Sequence, residues 1–337
     1  MPPCVSLSLP VYNGERDVVT AIQSLLDQSF ADFELIITDN ASTDATQRIC
    51  EGFAARDGRI RYVRNERNLG AAGNFNLGFK LSSGRYFKWC AHDDFISADF
   101  LQAAVRALEA DPGAVVACGR LQGVDGHGAP TRYVETPLED MSGVRAARRF
   151  RILLARHGVD AASFGLIRSS ALAKSSLHVP YYGSDCALLA ELALLGTFVQ
   201  VPGATLYNRE HPRRSVNIHS NERLVWQNPS AVKGNAFELC NRIAHLVEIA
   251  RRHQDAAPLH LTLAQLVAWA SSPVLLARCA LEVIGAVSPS LRGRLRSAGL
   301  AAMDRLGALR GRRIEVETGG GNLVRSDAAG GSHDARR

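Results

Sequence analysis

Between Val5 and Cys118 the chain alternates short apolar strand signals with helical ones, and few folds accommodate that alternation. Val5-Ser6-Leu7-Ser8-Leu9 is a buried-strand pattern stopped by Pro10, and a turn at Asn13-Gly14 leads to Val18, Val19, Ile22, Leu25 and Leu26 at helical spacing. A second strand over 33–38 runs into Asp39-Asn40-Ala41-Ser42-Thr43-Asp44, side chains suited to capping a helix N-terminus, and a helix over 45–53 follows. Strand 60–63, helix 72–81 and strand 86–90 repeat the pattern, and 114–118 adds another apolar strand. Such a succession implies a doubly wound, mostly parallel sheet whose ligand site lies beyond the carboxyl ends of the strands. The chemically suggestive stretches all fall at such ends: Tyr12-Asn13, Asp39, residues 65–70 and His92-Asp93-Asp94. None of these loops reads GxGxxG or GxxxxGK[ST], so a nucleotide has to be held without a glycine phosphate cradle.

Further along, a polar loop over 123–137, an arginine-rich helix around 145–157 and a short strand over 161–167 are expected. A Leu/Ala-rich helix over 186–195, stopped by Gly196, and a strand over 198–201 before Pro202 follow. The segment 259–287 is apolar, but Pro273, Arg278 and Glu282 interrupt it before any run reaches the roughly 18–20 residues of a span, which predicts two packed or interfacial helices. From Gly319 the Gly/Ser/Ala/Asp/Arg tail has too little apolar content to fold. The expected division is 1–220, a basic helical region 221–313 and a disordered tail 314–337. Seven cysteines without a CxxC pair make neither a disulfide framework nor a zinc knuckle and imply a reducing compartment. The amino terminus has no basic run followed by a long apolar one, so no signal peptide is read and a cytoplasmic location is expected.

Charge is informative once divided along the chain. Residues 1–240 carry 25 Lys+Arg and 25 Asp+Glu, whereas 241–313 carry 11 Arg and no Lys against Glu248, Asp255, Glu282 and Asp304. The surplus belongs to one segment, and only Trp269 offers a stacking surface near those arginines, which argues against nucleic acid. Arg292, Arg294, Arg296, Arg305, Arg310, Arg312 and Arg313 are either a solvated helix face or a docking surface for the anionic inner membrane leaflet, a peripheral association.

Taken in order, LSLPVYNGE, ITDNASTDAT, RNERNLGAAGNFNLG, WCAHDDFISADFL and YGSDCALLAELALLG resemble the successive signatures of family 2 glycosyltransferases, which have the GT-A fold. The resemblance covers roughly residues 4–215 and implies a nucleotide-sugar donor, a glycan or lipid-linked acceptor and Mg2+ or Mn2+ as cofactor. By this resemblance Pro10, Tyr12, Asn13 and Glu15 lie around the base and ribose, Asp39 accepts from the base, and Asn68 and Asn74 contact nucleotide and phosphate. Many relatives place an arginine before the second Asn of that stretch; here Phe75 precedes Asn76, and Arg67 is the substitute available.

Adjacent carboxylates repel unless solvated or neutralised by a cation. Asp93 and Asp94 are therefore either two solvated loop acids or, as the resemblance implies, the holders of a divalent ion bridging the donor diphosphate, with His92 packing or contacting phosphate. The text departs from DxD, so both acids stand as ligands, Asp93 preferred. His211, followed by Arg213 and Arg214, falls where some relatives close a loop over the diphosphate; a solvated basic loop is the rival reading. Asp185 opens a helix where the family carries its general base, which removes the acceptor hydroxyl proton during an inverting transfer. Asp39 and Asp185 as helix caps, and Tyr12 as core filler, are the structural alternatives. A nucleotidyltransferase or a non-catalytic nucleotide-binding module of the same fold are the rival functions; the first wants a basic glycine-rich loop after strand one, where Glu15 stands instead.

Overall fold

The computed structural model describes residues 2–134, 138, 140–156, 161–212, 214, 217, 220–229 and 237–287. In chain order the elements are β1 (Val5–Val11), α1 (Val18–Leu26), β2 (Phe33–Asp39), α2 (Thr46–Ala54), β3 (Ile60–Arg64), α3 (Gly70–Leu81), β4 (Tyr86–Trp89), β5 (Phe95–Ile96), α4 (Phe100–Ala110), β6 (Ala114–Val124) and β7 (Pro130–Val134). They continue with α5 (Ala146–Ala155), a 3-10 turn (Ala161–Phe164), β8 (Leu166–Arg168), α6 (Ser169–Leu172), α7 (Ser184–Leu195), β9 (Thr197–Arg209), α8 (Ser220–Gln227), α9 (Glu238–Arg252), α10 (Leu259–Ala270) and α11 (Pro273–Val287).

One sheet runs β3-β2-β1-β4-β8-β6-β9-β5, with β7 on β6. β1 to β4 are mutually parallel, β8 is antiparallel between β4 and β6, and β6 and β9 are parallel again. The chain winds from β1 through β2 to β3 and then returns to the other side of β1 as β4. Diverging connections on either side of β1 open a crevice at the carboxyl ends of β1 and β4, the usual ligand position in such sheets. β4 feeds both faces of the sheet: Tyr86 joins the core with Leu7, Ile22 and Leu101, and Phe87 and Trp89 join the core with Phe150, Leu188 and Leu246.

Pro10 does not stop β1, which continues to Val11. The Ser8 carbonyl accepts from Cys90 on the β4 side and the Val11 carbonyl from Asn40 on the β2 side. Residue 10 therefore faces the β4 side, where β4 has already ended, and its missing N–H leaves no acceptor wanting. Pro202 likewise does not end β9. The register with β6 jumps from Cys118↔Gln200 to Arg120↔Thr205, so residues 201–204 bulge and Pro202 needs no partner there. Val19 is exposed, the inward positions of α1 being Val18, Ala21, Ile22 and Leu25. The expected loop 123–137 contains β7, and the expected strand 161–167 is a 3-10 turn followed by β8.

The carboxyl-terminal helices fasten to the core through a buried charge. Glu191 of α7 is fully buried and accepts from the Ser176 N–H and from Arg252 and His253 at the end of α9. The apolar segment becomes α10 and α11, bent 81° apart; among the described residues no single helix is long and apolar enough to cross a membrane. The arginines from 292 to 313 and the tail lie outside the described residues.

α3 lies against β1 through a glycine: a Cβ at Gly78 would fall 1.8 Å from Ser8 Oγ. Gly78→Ala is expected to destabilise the fold by about 1–3 kcal/mol through overpacking. Gly52→Ala in α2, where nothing lies within 4 Å of the added carbon, is expected to stabilise by up to about 1 kcal/mol. Urea melts that shift in the same direction for both would contradict the packing described.

Candidate active site

At the end of β1 the chain turns through Asn13, whose φ of 51° is left-handed, a region asparagine tolerates. The turn is laced to the loop after β2. Asn13 N–H donates to Ser42 Oγ at 3.0 Å, the Thr43 N–H donates to Asn13 Oδ1 at 2.8 Å, and the Ala45 N–H donates to Glu15 Oε2 at 2.8 Å. Asn13 and Glu15 thus spend side-chain oxygens on building the rim. Tyr12 stands out from it at 42% exposure, which removes the core-filler reading, while Pro10 is buried below.

Asp39 ends β2 with its carboxylate wholly buried. Oδ1 accepts from the Ser42 N–H at 2.8 Å, and Oδ2 accepts from Tyr62 Oη at 2.6 Å and Arg64 Nη1 at 3.1 Å. It caps no helix: the N-cap of α2 is Ala45, with no side-chain capping hydrogen bond. Tyr62 and Arg64 are two apart on β3 and so share a face, a period-2 signal that was legible once that strand was placed beside β2. Arg67 is exposed, and it is Arg64 that brings the guanidinium to Asp39.

Behind Asp39 lies a chain of carboxamides. Asn40 Nδ2 donates to Asn68 Oδ1, Asn65 Nδ2 donates to Asn40 Oδ1 and to Asn74 Oδ1, and Asn74 Nδ2 donates to the Thr38 carbonyl. Asn68 and Asn74 are therefore brought beside Asp39, with these atoms holding the β2, β3 and α3 ends together. The sequence departure at Phe75-Asn76 also has a use. Asn76 exchanges two hydrogen bonds with the backbone of His178, and Phe75 meets the His178 ring edge-on at 5.3 Å.

The two acids after β4 have different fates. Asp94 is buried and turns toward β9, accepting from Asn208 Nδ2 with both oxygens and from the Arg209 N–H at 2.9 Å. Burial, and then the charge of Asp93, push its carboxyl up to about 7. Asp93 faces His211, whose Nε2 is 2.9 Å from Oδ2. Burial opposes ionisation of Asp93, but the His211 hydrogen bond and the fields of His92 and His211 outweigh it and hold the carboxyl down at about 2. The His92 ring packs on Gly14, where a Cβ would lie 2.6 Å from its Cδ2, so the β1 and β4 ends touch across the crevice. Arg214 reaches Asn208 Oδ1 at 2.6 Å; Arg213 lies outside the described residues.

His211 Nδ1 is buried without a partner among the described residues, while its Nε2 meets Asp93 Oδ2 at 2.9 Å. One carboxylate and one imidazole suit a divalent ion that draws its remaining ligands from phosphate and water. Among the described residues no group of three or more His, Cys, Asp or Glu is arranged to hold a metal without such help. Asp94, with both oxygens committed to β9, is the poorer ligand of the pair.

Asp185 sits in the first turn of α7, but Gly183 holds the cap position, so the capping alternative fails. Its Oδ1 accepts from the Cys186 N–H; among the described residues no partner occupies Oδ2, and the residue is exposed. With Trp89, Ser163, Ile167, His178, Leu188 and Leu189 it lines one small pocket, and Trp89 ends the strand that leads to Asp93. Burial pushes His178 down to about 4, against the pull of Asp185, so a neutral imidazole borders the carboxylate.

Residues 6–175 match the family model described as Glycosyl transferase family 2. The chain is 34% identical over 119 residues to the uncharacterized glycosyltransferase EpsJ of Bacillus subtilis, covering 35% of this chain and 34% of that protein. It is 28% identical over 105 residues to the glycosyltransferase GlyG of Streptococcus pneumoniae, covering 31% and 35%. The matched stretch thus spans about a third of the length of these curated relatives. In three dimensions it resembles S. aureus TarS 1–349 with a TM-score of 0.56, 17% identity and 97% of both chains covered. The complex of TarS with UDP-GlcNAc matches at 0.54 and 18%, over 80% of this chain and 73% of that one. The fold is that of the GT-A glycosyltransferases, as the sequence motifs implied.

An unfolded aspartate titrates near about 3.9, so the raised Asp94 makes the folded chain hold a proton that the unfolded chain has lost between about pH 4 and about pH 7. Its contribution to stability is complete below about pH 4 and lost as pH rises to about 7. Asp94→Asn, which still accepts from Arg209, is expected to flatten that loss in metal-free buffer. Urea midpoints at about pH 4.5 and about pH 8 that differ as much in the variant as in the parent would refute the assignment.

Proposed function

The chain belongs to glycosyl transferase family 2, and on that premise we propose that it moves a sugar from a nucleotide-sugar, a UDP-sugar by preference, to an acceptor hydroxyl with inversion. The observation that carries this reading is the meeting of Asp93 and His211, 118 positions apart in sequence, at the mouth of the β1–β4 crevice. Asp39 at the neighbouring strand end is a buried acceptor assigned to an imide N–H of a pyrimidine, and the exposed Tyr12 follows Val11, the register partner of Asp39. TarS, whose fold this chain shares, was crystallised with UDP-GlcNAc, which is the precedent for the donor class.

Each protein group then has one task. Asp39, Tyr12 and the loop built by Asn13, Glu15, Asn68 and Asn74 hold and orient the nucleotide. Asp93 and His211 would hold a divalent ion, Mg2+ or Mn2+, which would supply positive charge to the departing diphosphate. Arg214, anchored on Asn208, adds positive field on the same side. Asp185 uses Oδ2 to take the proton of the acceptor hydroxyl as its oxygen bonds the anomeric carbon and the diphosphate leaves from the opposite face. A nucleotidyltransferase is disfavoured because the β1 turn carries Glu15 where a basic glycine-rich loop would be needed.

The acceptor we favour is a cell-envelope or exopolysaccharide glycan on a lipid carrier, worked on at the cytoplasmic face of the membrane. Supporting this, Val267, Val274, Leu276 and Val283 are exposed on α10 and α11, immediately before the arginine-rich stretch of sequence. An exposed apolar face followed by cations is the composition of an interfacial anchor.

Asp185→Asn is expected to lower transfer about a thousandfold while UDP binding with Mn2+, followed by calorimetry, changes less than about twofold. Turnover retained in that variant, or UDP binding lost with it, removes Asp185 from the role of base. For the membrane reading, Val274→Glu is expected to reduce co-sedimentation with phosphatidylglycerol vesicles. Unchanged sedimentation would dismiss that face as the anchor.

A further inference from the structure

Two arginines unused in the account above converge on the turn that presents Asp185. Arg223 of α8 is 4% exposed, with its guanidinium carbon 3.7 Å from the centroid of the Tyr182 ring. Its Nε and Nη1 are buried and have no hydrogen-bond partner among the described residues. Arg242 comes from a different helix, α9, and its Nη2 donates to the Tyr182 carbonyl at 3.4 Å while Nε is buried without a described partner. The turn is shaped to admit it: Gly183 has a φ of 85°, and a Cβ there would lie 1.9 Å from Arg242 Nη2. Asp185 follows two residues later.

Buried N–H donors without acceptors are costly, and charged ones more so, which makes them a reason to look for a missing anion. Nearby acids do not fill the gap. Glu282 spends both oxygens on the Leu239 and Cys240 N–H groups at the start of α9. Burial and the charge of Glu282 push the Glu238 carboxyl up, with Arg223, Arg278 and Arg242 pulling it the other way. A planar carboxylate fills a single guanidinium fork, whereas two forks arriving from separate helices match the several oxygens of a tetrahedral phosphate.

We infer that Arg223 and Arg242 form an oxyanion subsite beside Asp185 that takes a phosphate group carried by the acceptor. The donor diphosphate belongs to the Asp93–His211 side of the crevice. The subsite borders the turn that carries the residue assigned to the acceptor proton, and its allotment to the acceptor rests on that assignment. The acceptor class it selects is a phosphorylated one, a sugar or polyol phosphate or a lipid diphosphate. Its phosphate would lie a short reach from the hydroxyl that attacks.

The test is calorimetry on the full chain with glycerol 1-phosphate as probe and, separately, UDP with Mn2+. Glycerol 1-phosphate is expected to bind the parent chain and to weaken at least about tenfold in Arg223→Gln and in Arg242→Gln, with UDP affinity unchanged. Arg223→Lys, which keeps the charge over Tyr182, is expected to retain part of the binding and a parental melting curve, so a loss in Arg223→Gln through misfolding is told apart. No binding by the parent, binding in either glutamine variant as tight as in the parent, or preference for glucuronate over the phosphate overturns the inference. So does a fall in UDP affinity parallel to that for the phosphate, which would return the pair to the donor. Failure of the parent to bind UDP with Mn2+ counts instead against the proposed function.

Discussion

The site depends on one buried carboxylate. Asp94 reaches from the end of β4 to the end of β9 and there accepts from the Asn208 side chain and the Arg209 backbone, more than a hundred positions away. In a low-dielectric interior those hydrogen bonds are strong, and losing an acceptor would strand a buried donor. The clamp brings His211 over Asp93 and Arg214 onto Asn208. The acid that does this work is poorly suited to hold a cation as well. The adjacent pair is thus split, one member structural and one facing the ligand side.

A similar economy runs through the nucleotide side. Asn13, Glu15, Asn68 and Asn74 have side-chain atoms committed to other parts of the protein, and their contribution is to hold together the loops around the exposed Tyr12 ring and the buried Asp39 carboxylate. Asp39 is held by Tyr62 and Arg64 before any ligand arrives. Such preorganisation means that little conformational freedom remains to be lost on binding. Asn76 fastens the backbone of His178, in the segment that leads through Tyr182 to Asp185, so α3 is tied both to β2 and to that segment.

Much of this was legible in the residue order. Strand and helix periodicity placed β1 to β4 and α1 to α3, and the position of acids at strand ends located the crevice. The family motifs pointed to Asp39, Asp93 and Asp185 as candidates, and His211 lies beyond them in sequence. Prolines were misread as strand ends. At Pro10 the neighbouring strand has already stopped, and at Pro202 the register skips, so the absent N–H costs nothing; neither fact is local. β7 was missed because its sequence is polar and turn-rich, and a hairpin edge strand of this kind carries no apolar run to announce it.

What the sequence determined alone is the alternation of strands and helices from β1 to β4, the doubly wound class of sheet it implies and the chemical groups available at the strand ends, because periodicity and turn chemistry are read within a few residues. Only the tertiary structure decided which of two adjacent acids turns inward, which arginine meets Asp39, and that Arg223 and Arg242 arrive beside Asp185 from separate helices. Those outcomes depend on long-range register and on the burial of specific polar atoms, quantities set by the packing of segments a hundred residues apart.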